Sequence, residues 1–361
     1  MESQLTQTFI IAEAGVNHNG SLEKAKDLVK IAKDSGANAV KFQTFKADLL
    51  VTKSARKAEY QVNNTGKDNS QYQMLKELEL SEDDHFVLFE LANSLGIEFL
   101  STPFDQESLY FLIHKLGLKR IKISSGDLIN APFLFEVGKF AETVILSSGM
   151  GNLAEIEEAL SILTLGFLKD SSVGINRTSL MHALASEIGY AELKRRVTIL
   201  HATTDYPAKF SDVNLKAMQT IQRAFGLDVG YSDHTEGIHV SVAAVAMGAK
   251  VIEKHFTADK TQEGPDHLAS LEPKELKSLV DSIRDIELSL GTGMKLPAPS
   301  EAQNAEVVRK SIVAKKAIRR GERFSSENLT IKRPGTGIRP IEFWNLIGKE
   351  SNQDYIEDDL I

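Results

Sequence analysis

Two histidines stand at matching places in the stretch Leu227 to Thr257, LDVGYSDHTEGIHVSVAAVAMGAKVIEKHFT. The stretch reads as strand, loop, helix, strand: an apolar run ends in Gly230-Tyr231-Ser232-Asp233-His234-Thr235, Val240 to Met247 is a helix of small residues, and Val251 to Thr257 is a second buried strand. Each strand delivers a histidine near its C-terminal end. Alternation puts Glu253 and His255 on one face and Ile252, Lys254 and Phe256 on the other. His234 and His255, ending neighbouring parallel strands, can point into one cavity and share a metal. The competing reading is two unrelated histidines, one satisfied in the core and one on a loop, so the other strand ends must decide.

Those ends are strongly polar. They carry Glu13; Lys41 and Gln43, facing the same way; Thr102; Lys122 with Ser125 and Asp127; Ser147; Thr204 and Tyr206; and Ser232 ahead of His234. A lysine in an apolar strand is costly unless paired, and a lone one usually snorkels to solvent. Lys41 and Lys122 on converging strands, with hydroxyls on several others, read instead as a site for a small dianion, lysine giving point charge and hydroxyls giving directed donors. Each Ser-Gly pair alone is a simple turn; their recurrence argues for a site. Two imidazoles with oxygen ligands and no thiolate suit Mn²⁺, Fe²⁺, Co²⁺ or Zn²⁺ and leave positions for water and substrate. The chemistry implied is activation of a carbonyl beside a bound phosphate or carboxylate compound.

The elements that position these groups follow a repeat. Strands at Phe9–Ala14, Ala39–Phe45, Glu98–Pro103, Arg120–Ser125, Thr143–Ser148 and Val197–Thr203 precede the opening pair, and each is followed by a helix. Eight such units predict an α/β fold, a (β/α)8 TIM barrel over 1–290, with its active site at the C-terminal strand ends. An open doubly wound sheet is the alternative, but no Gly-rich dinucleotide fingerprint follows the first strand. The polar stretch from about Gly166 to Gly189 reads as an irregular excursion, 291–309 as a linker, and 310–361 as a small β-rich module.

Composition sets the bounds. The chain has 361 residues, 42% hydrophobic and 25% charged, with a net charge of −8 that offers no electrostatic footprint for nucleic acid, so no nucleic-acid partner is expected, although a local cationic pocket stays open. With no cysteine, any metal must be held by His, Asp, Glu or water. No leader or spanning segment is legible, so no membrane partner and a cytoplasmic location are expected.

The residues in combination resemble the bacterial sialic (nonulosonic) acid synthases. The resemblance rests on Ile11-Ala12-Glu13-Ala14-Gly15 with Asn17-His18, Lys41-Phe42-Gln43-Thr44, Ser101-Thr102-Pro103-Phe104, Lys122 with Ser125-Gly126, Ser147-Ser148-Gly149-Met150, Tyr206-Pro207, Ser232-Asp233-His234-Thr235, Glu253-Lys254-His255-Phe256 and Gly264-Pro265-Asp266. Arg333-Pro334-Gly335-Thr336-Gly337-Ile338 resembles the loop of the family's antifreeze-like (SAF) domain. The family condenses phosphoenolpyruvate with an N-acetylated mannose-type sugar. The resemblance implies Mn²⁺ on His234 and His255, with Mg²⁺ or Co²⁺ as substitutes. It also implies Lys41, Lys122 and Thr102 on the phosphoenolpyruvate carboxylate side, Ser125, Ser147 and Ser232 on its phosphate, and Gln43, Asp127, Tyr206, Asp266 and Arg333 on the sugar. Glu13 would position or deprotonate the attacking water, and Glu253 joins the catalytic candidates. A domain-swapped homodimer is implied, the arginine reaching the partner's barrel. Thr204 and Asp127 depart from the N-acetylneuraminate pattern of Asn and Glu. The runs His201 to Ala208, Glu263 to His267 and Leu271 to Pro273 are closer to the legionaminic acid synthases, which implies 2,4-diacetamido-2,4,6-trideoxymannose ahead of N-acetylmannosamine and the pseudaminic acid precursor. A metal-dependent class II aldolase is the alternative enzyme class. An ice- or carbohydrate-binding role is the alternative outside enzymes; ice binding is opposed because no regular Thr repeat forms a flat array.

Overall fold

Short, largely buried segments bounded by turn residues make the eight strands of the first unit. The computed structural model describes residues 7–65, 70–169 and 174–361, and the chain divides into two units, Met1–Gly291 and Thr292–Ile361. The strands are β1 (Phe9–Gly15), β2 (Ala39–Thr44), β3 (Glu98–Pro103), β4 (Arg120–Ile123), β5 (Thr143–Ser147), β6 (Val197–Ala202), β7 (Asp228–Asp233) and β8 (Val251–His255). They pair in parallel in the order β3-β2-β1-β8-β7-β6-β5-β4, and β3 and β4, the two ends of that order, lie in contact. The result is a TIM-type barrel. Inward-facing Ile11, Ala39, Leu100, Ile145, Leu200 and Val251 fill its interior, while alternate residues such as Ile10, Val40, Phe42, Phe99 and Ile252 join the larger core under the helices.

The helices begin where side chains can satisfy the free N–H groups of their first turns. Helix α1 (Leu22–Asp34) is capped by Ser21. Three short helices, α2 (Ala47–Leu50), α3 (Glu59–Thr65) and α4 (Gln71–Leu78), interrupt the path from β2 to β3 before α5 (Glu82–Leu95). Ser70 with Gln73 and Ser81 with Asp84 form reciprocal capping boxes on α4 and α5. Then come α6 (Gln106–Tyr110), continued by a π-helical turn at Phe111–Lys115, α7 (Ala131–Phe140), α8 (Leu153–Leu168), α9 (Arg177–Ala185) and α10 (Glu187–Arg196). After them follow α11 (Lys216–Phe225), α12 (His239–Ala246) and α13 (Pro273–Leu290).

One sequence expectation is corrected. The stretch from Gly166 to Gly189 is mostly helical among its described residues, taken up by the end of α8, by α9 and by the start of α10; 170–173 lie outside the described residues. Gly166 does not break α8. It sits inside the helix where α7 crosses closely, and a Cβ there would stand 2.6 Å from the Phe135 carbonyl and 2.8 Å from Gly138 Cα. Asn176 and Ser186 cap α9 and α10, so the polar residues that looked irregular are helix starts. Residues 291–309, read as a linker, contain a 3-10 turn at Pro299–Glu301 and α14 (Ala302–Val308).

In the second unit, β9 (Ser311–Ala314) and β10 (Leu329–Lys332) pair antiparallel. Ile312, Ala314, Ile318, Phe324, Leu329 and Tyr355 form its core. Pro334 follows a cis bond from the exposed Arg333. Its carbonyl accepts from Ser311 Oγ at 2.7 Å, which fixes the loop's exit from β10.

Candidate active site

Parallel strands of one barrel send every inward side chain near their C-terminal ends to the same mouth. One cavity of ≈ 550 Å³ is lined there by Glu13, Lys41, Gln43, Thr102, Lys122, Ser125, Asp127, Ser147, Thr204, Tyr206, Ser232, His234, Glu253, His255 and Asp266. These are all the site residues read from the sequence of the first unit. Arg333 belongs to the second unit. The ladder between β1 and β2 slips between Glu13 and Gly15, and Gly15 takes φ +53, a conformation open to glycine, so β1 bends away directly after presenting Glu13.

The floor is a buried array of two lysines and two carboxylates. Lys41 Nζ lies 2.5 Å from Glu13 Oε2 and 3.6 Å from Glu253 Oε2, and donates to Thr102 Oγ1 at 3.0 Å. Lys122 Nζ lies 3.2 Å from Glu253 Oε1, which also accepts from Ser232 Oγ at 2.9 Å. Burial pushes the Glu13 carboxyl up to about 7 against the pull of Lys41, with the Glu253 charge pushing the same way as burial. For Glu253 burial acts in that direction too, but the Lys122 and Lys41 charges outweigh it and hold the group well below the usual carboxylate range. Burial lowers the Lys122 ammonium, which makes it responsive to whatever anion enters. Ser147 Oγ is buried with no hydrogen-bond partner among the described residues, an idle donor facing the cavity.

Beside this array stand the imidazoles, ring centroids 5.5 Å apart, with Ser232 Oγ between the Glu253 carboxylate and His234 Nε2, 3.4 Å from the latter. Burial pulls His234 down to about 4 and His255 well below its ordinary value, so both rings are neutral at pH 7. His234 Nδ1 donates to the Thr203 carbonyl at 2.6 Å, which leaves Nε2 with its lone pair. His255 Nδ1 is buried without a hydrogen bond, 3.9 Å from Asp266 Oδ2. Neutral rings, one tautomer fixed by a carbonyl and one orphaned nitrogen fit a divalent metal. Among the described residues no three His, Asp or Glu side chains gather as a metal cage, so water and substrate oxygens would complete the shell. The Tyr206 ring packs at 4.1 Å on His234 and edge-on at 5.5 Å to His255, restricting both rings.

Behind these strand ends lies a second buried pair. Lys254 Nζ sits 3.1 Å from Asp233 Oδ2, and Asp233 also accepts from the Thr235 and Ser241 hydroxyls at 2.7 Å and 2.6 Å. Each partner neighbours one histidine in sequence. The pair thus ties together the backbones that carry the rings, and removing either member would leave a charge buried alone at a cost of about 3–5 kcal/mol.

The sequence reading missed one whole wall. Tyr60, Gln61, Gln71, Leu50, Met74 and Leu75 line the cavity from α2, α3 and α4. The capping signatures at Ser70-x-x-Gln73 and Ser81-x-x-Asp84 were the available signal for a structured excursion there.

Residues 28–295 match the NeuB family model and residues 309–361 the SAF domain. The chain is 50% identical over 357 residues, 99% of each chain, to the N,N'-diacetyllegionaminic acid synthase of Campylobacter jejuni. It is 52% identical to that of Legionella pneumophila, across 94% of this chain and 89% of the relative. The crystal structure of the N-acetylneuraminic acid synthetase of Leptospira borgpetersenii superposes with a TM-score of 0.66 at 32% identity, covering 84% of this chain and 91% of that one.

Proposed function

The chain belongs to the NeuB family, and from that premise we propose that it condenses phosphoenolpyruvate with an N-acetylated mannose-type sugar and water to give a nonulosonic acid and phosphate. The sugar we assign is 2,4-diacetamido-2,4,6-trideoxymannose and the product N,N'-diacetyllegionaminate, as the names of the Campylobacter and Legionella relatives support. The observation that carries the reading is the meeting of two sets of groups in one cavity: two neutral imidazoles and, beside them, two lysines with hydroxyl donors.

Lys41, Lys122 and Thr102 hold the carboxylate side of phosphoenolpyruvate, and Ser125 and Ser147 donate to its phosphate, joined by Ser232 when its hydroxyl turns from Glu253. His234 and His255 would hold a divalent metal, Mn²⁺ first and Mg²⁺ or Co²⁺ in its place, which when bound would supply Lewis-acid polarisation of the sugar aldehyde. Gln43, Asp127, Thr204, Tyr206 and Asp266 orient the open-chain sugar so that its carbonyl carbon meets C3 of the donor. A C–C bond forms, and the former aldehyde oxygen takes up a proton to become a hydroxyl. Water adds at C2, giving its proton to Glu13, whose carboxyl is poised near neutrality for that exchange. Cleavage of the bond from C2 to the phosphate oxygen then releases phosphate, the proton of the new C2 hydroxyl passing to it, and leaves the keto acid. Glu253 stays ionised throughout and keeps both lysines in place. Arg333 contacts the sugar from the second unit of a partner chain in a domain-swapped homodimer.

Inorganic phosphate release and product mass, followed with phosphoenolpyruvate and each candidate hexose, test the reading. The diacetamido sugar should be the best substrate. Carbon–carbon bond formation without phosphate release would assign the site to an aldolase instead.

A further inference from the structure

Beyond the reacting groups, the cavity has a side that no step above uses. Tyr60 of α3 packs 5.0 Å from Tyr206, whose other ring contacts are the two histidines, so α3 stands one aromatic ring farther from the aldehyde site. Asn64 Nδ2 donates to the Pro265 carbonyl at 2.6 Å, fastening α3 to the loop that carries Asp266. Gln71 Nε2 donates to Gln61 Oε1 at 3.3 Å, a pair of carboxamides on the cavity wall. Leu50, Met74 and Leu75 line the same wall and belong to a small apolar cluster separate from the barrel core.

We infer that this excursion between β2 and β3 reads the far end of the sugar, pairing an acetamido group with Gln61 and Gln71 and seating a methyl terminus on Leu50, Met74 and Leu75. The inference rests on the condensation reading above and names what that site selects. An acetamido group has the same planar donor–acceptor pattern as a carboxamide and extends an amide pair without leaving a polar atom unmet. A terminal methyl gains by leaving water on the leucine and methionine side chains, whereas a hydroxymethyl or phosphate there must shed water against groups that cannot replace it. Discrimination of this kind is worth on the order of ten- to a hundredfold per group.

The test is a substrate series on the full-length protein. Relative kcat/KM is measured for N-acetylmannosamine, its 6-deoxy form, and 2,4-diacetamido-2,4,6-trideoxymannose. Each step should gain about tenfold, through KM. Leu75→Asn should cut the 6-deoxy preference about tenfold and Gln71→Leu the preference for the second acetamido group about tenfold, with the KM for phosphoenolpyruvate within about twofold of the parent. A flat series, or variants that weaken all three sugars alike, overturns the inference while leaving the condensation reading intact. Failure of the parent protein to turn over any of the three sugars overturns that reading and the inference with it. If either variant does not fold, the series on the parent protein still decides.

Discussion

Glu13 and Glu253 carry the same group and share Lys41, yet the site treats them oppositely. Glu253 is gripped by two lysines and a serine and stays charged; Glu13 has one close cation and is held near its neutral form. One is a fixed counter-charge, the other a group able to trade a proton. On the imidazole side, His255→Ala should lower Mn²⁺ affinity and turnover together by about a hundredfold or more, read by metal titration and phosphate release. A variant with normal metal-dependent rates would remove His255 from the site. Away from the cavity, burial pulls His18 from its ordinary 6.5 to about 4. The unfolded chain binds this proton below about pH 6.5 and the folded chain does not, so acid favours unfolding across that window by about 1.4 kcal/mol per pH unit. His18→Gln should remove that slope. Urea unfolding at pH 7 and pH 5 should show a smaller stability loss in the variant than in the parent, and equal losses would show that His18 protonates in the fold.

At the scale of elements, α7 and α8 illustrate where sequence reading succeeded and where it stopped. Strand ends, caps and periodic apolar faces are local signals; β1 to β6 stand within about two residues of where the sequence places them. Gly166 carries no local sign of its role, because the reason for a glycine there is the α7 backbone on the other side of the contact. The same distinction applies to the site. Lys41, Lys122, Glu253 and the histidines betray themselves by being polar in apolar strands, whereas Leu50, Met74 and Leu75 look like ordinary helix interior until the fold brings them to a cavity. Gly166→Ala should destabilise the protein by about 1–3 kcal/mol through overpacking against Phe135 and Gly138. Thermal unfolding measures this, and the KM values should stay unchanged because the contact lies outside the cavity lining. An unchanged melting temperature would mean that α7 and α8 separate easily.

At the scale of the whole molecule, two units with separate cores share one chain. Arg333→Ala should raise the KM for the sugar about tenfold or more and leave that for phosphoenolpyruvate largely intact. A selective loss of phosphoenolpyruvate affinity would contradict the assigned contact. The two cavity lysines, for their part, already face two carboxylates before any ligand arrives, so they project little attraction into solvent, and the chain as a whole is −8. A trianionic donor diffusing inward therefore meets a like-signed molecule and feels the lysines only on arrival. Raising ionic strength should shield that long-range repulsion, so capture of phosphoenolpyruvate in stopped-flow should quicken with moderate salt, the reverse of an electrostatically steered encounter.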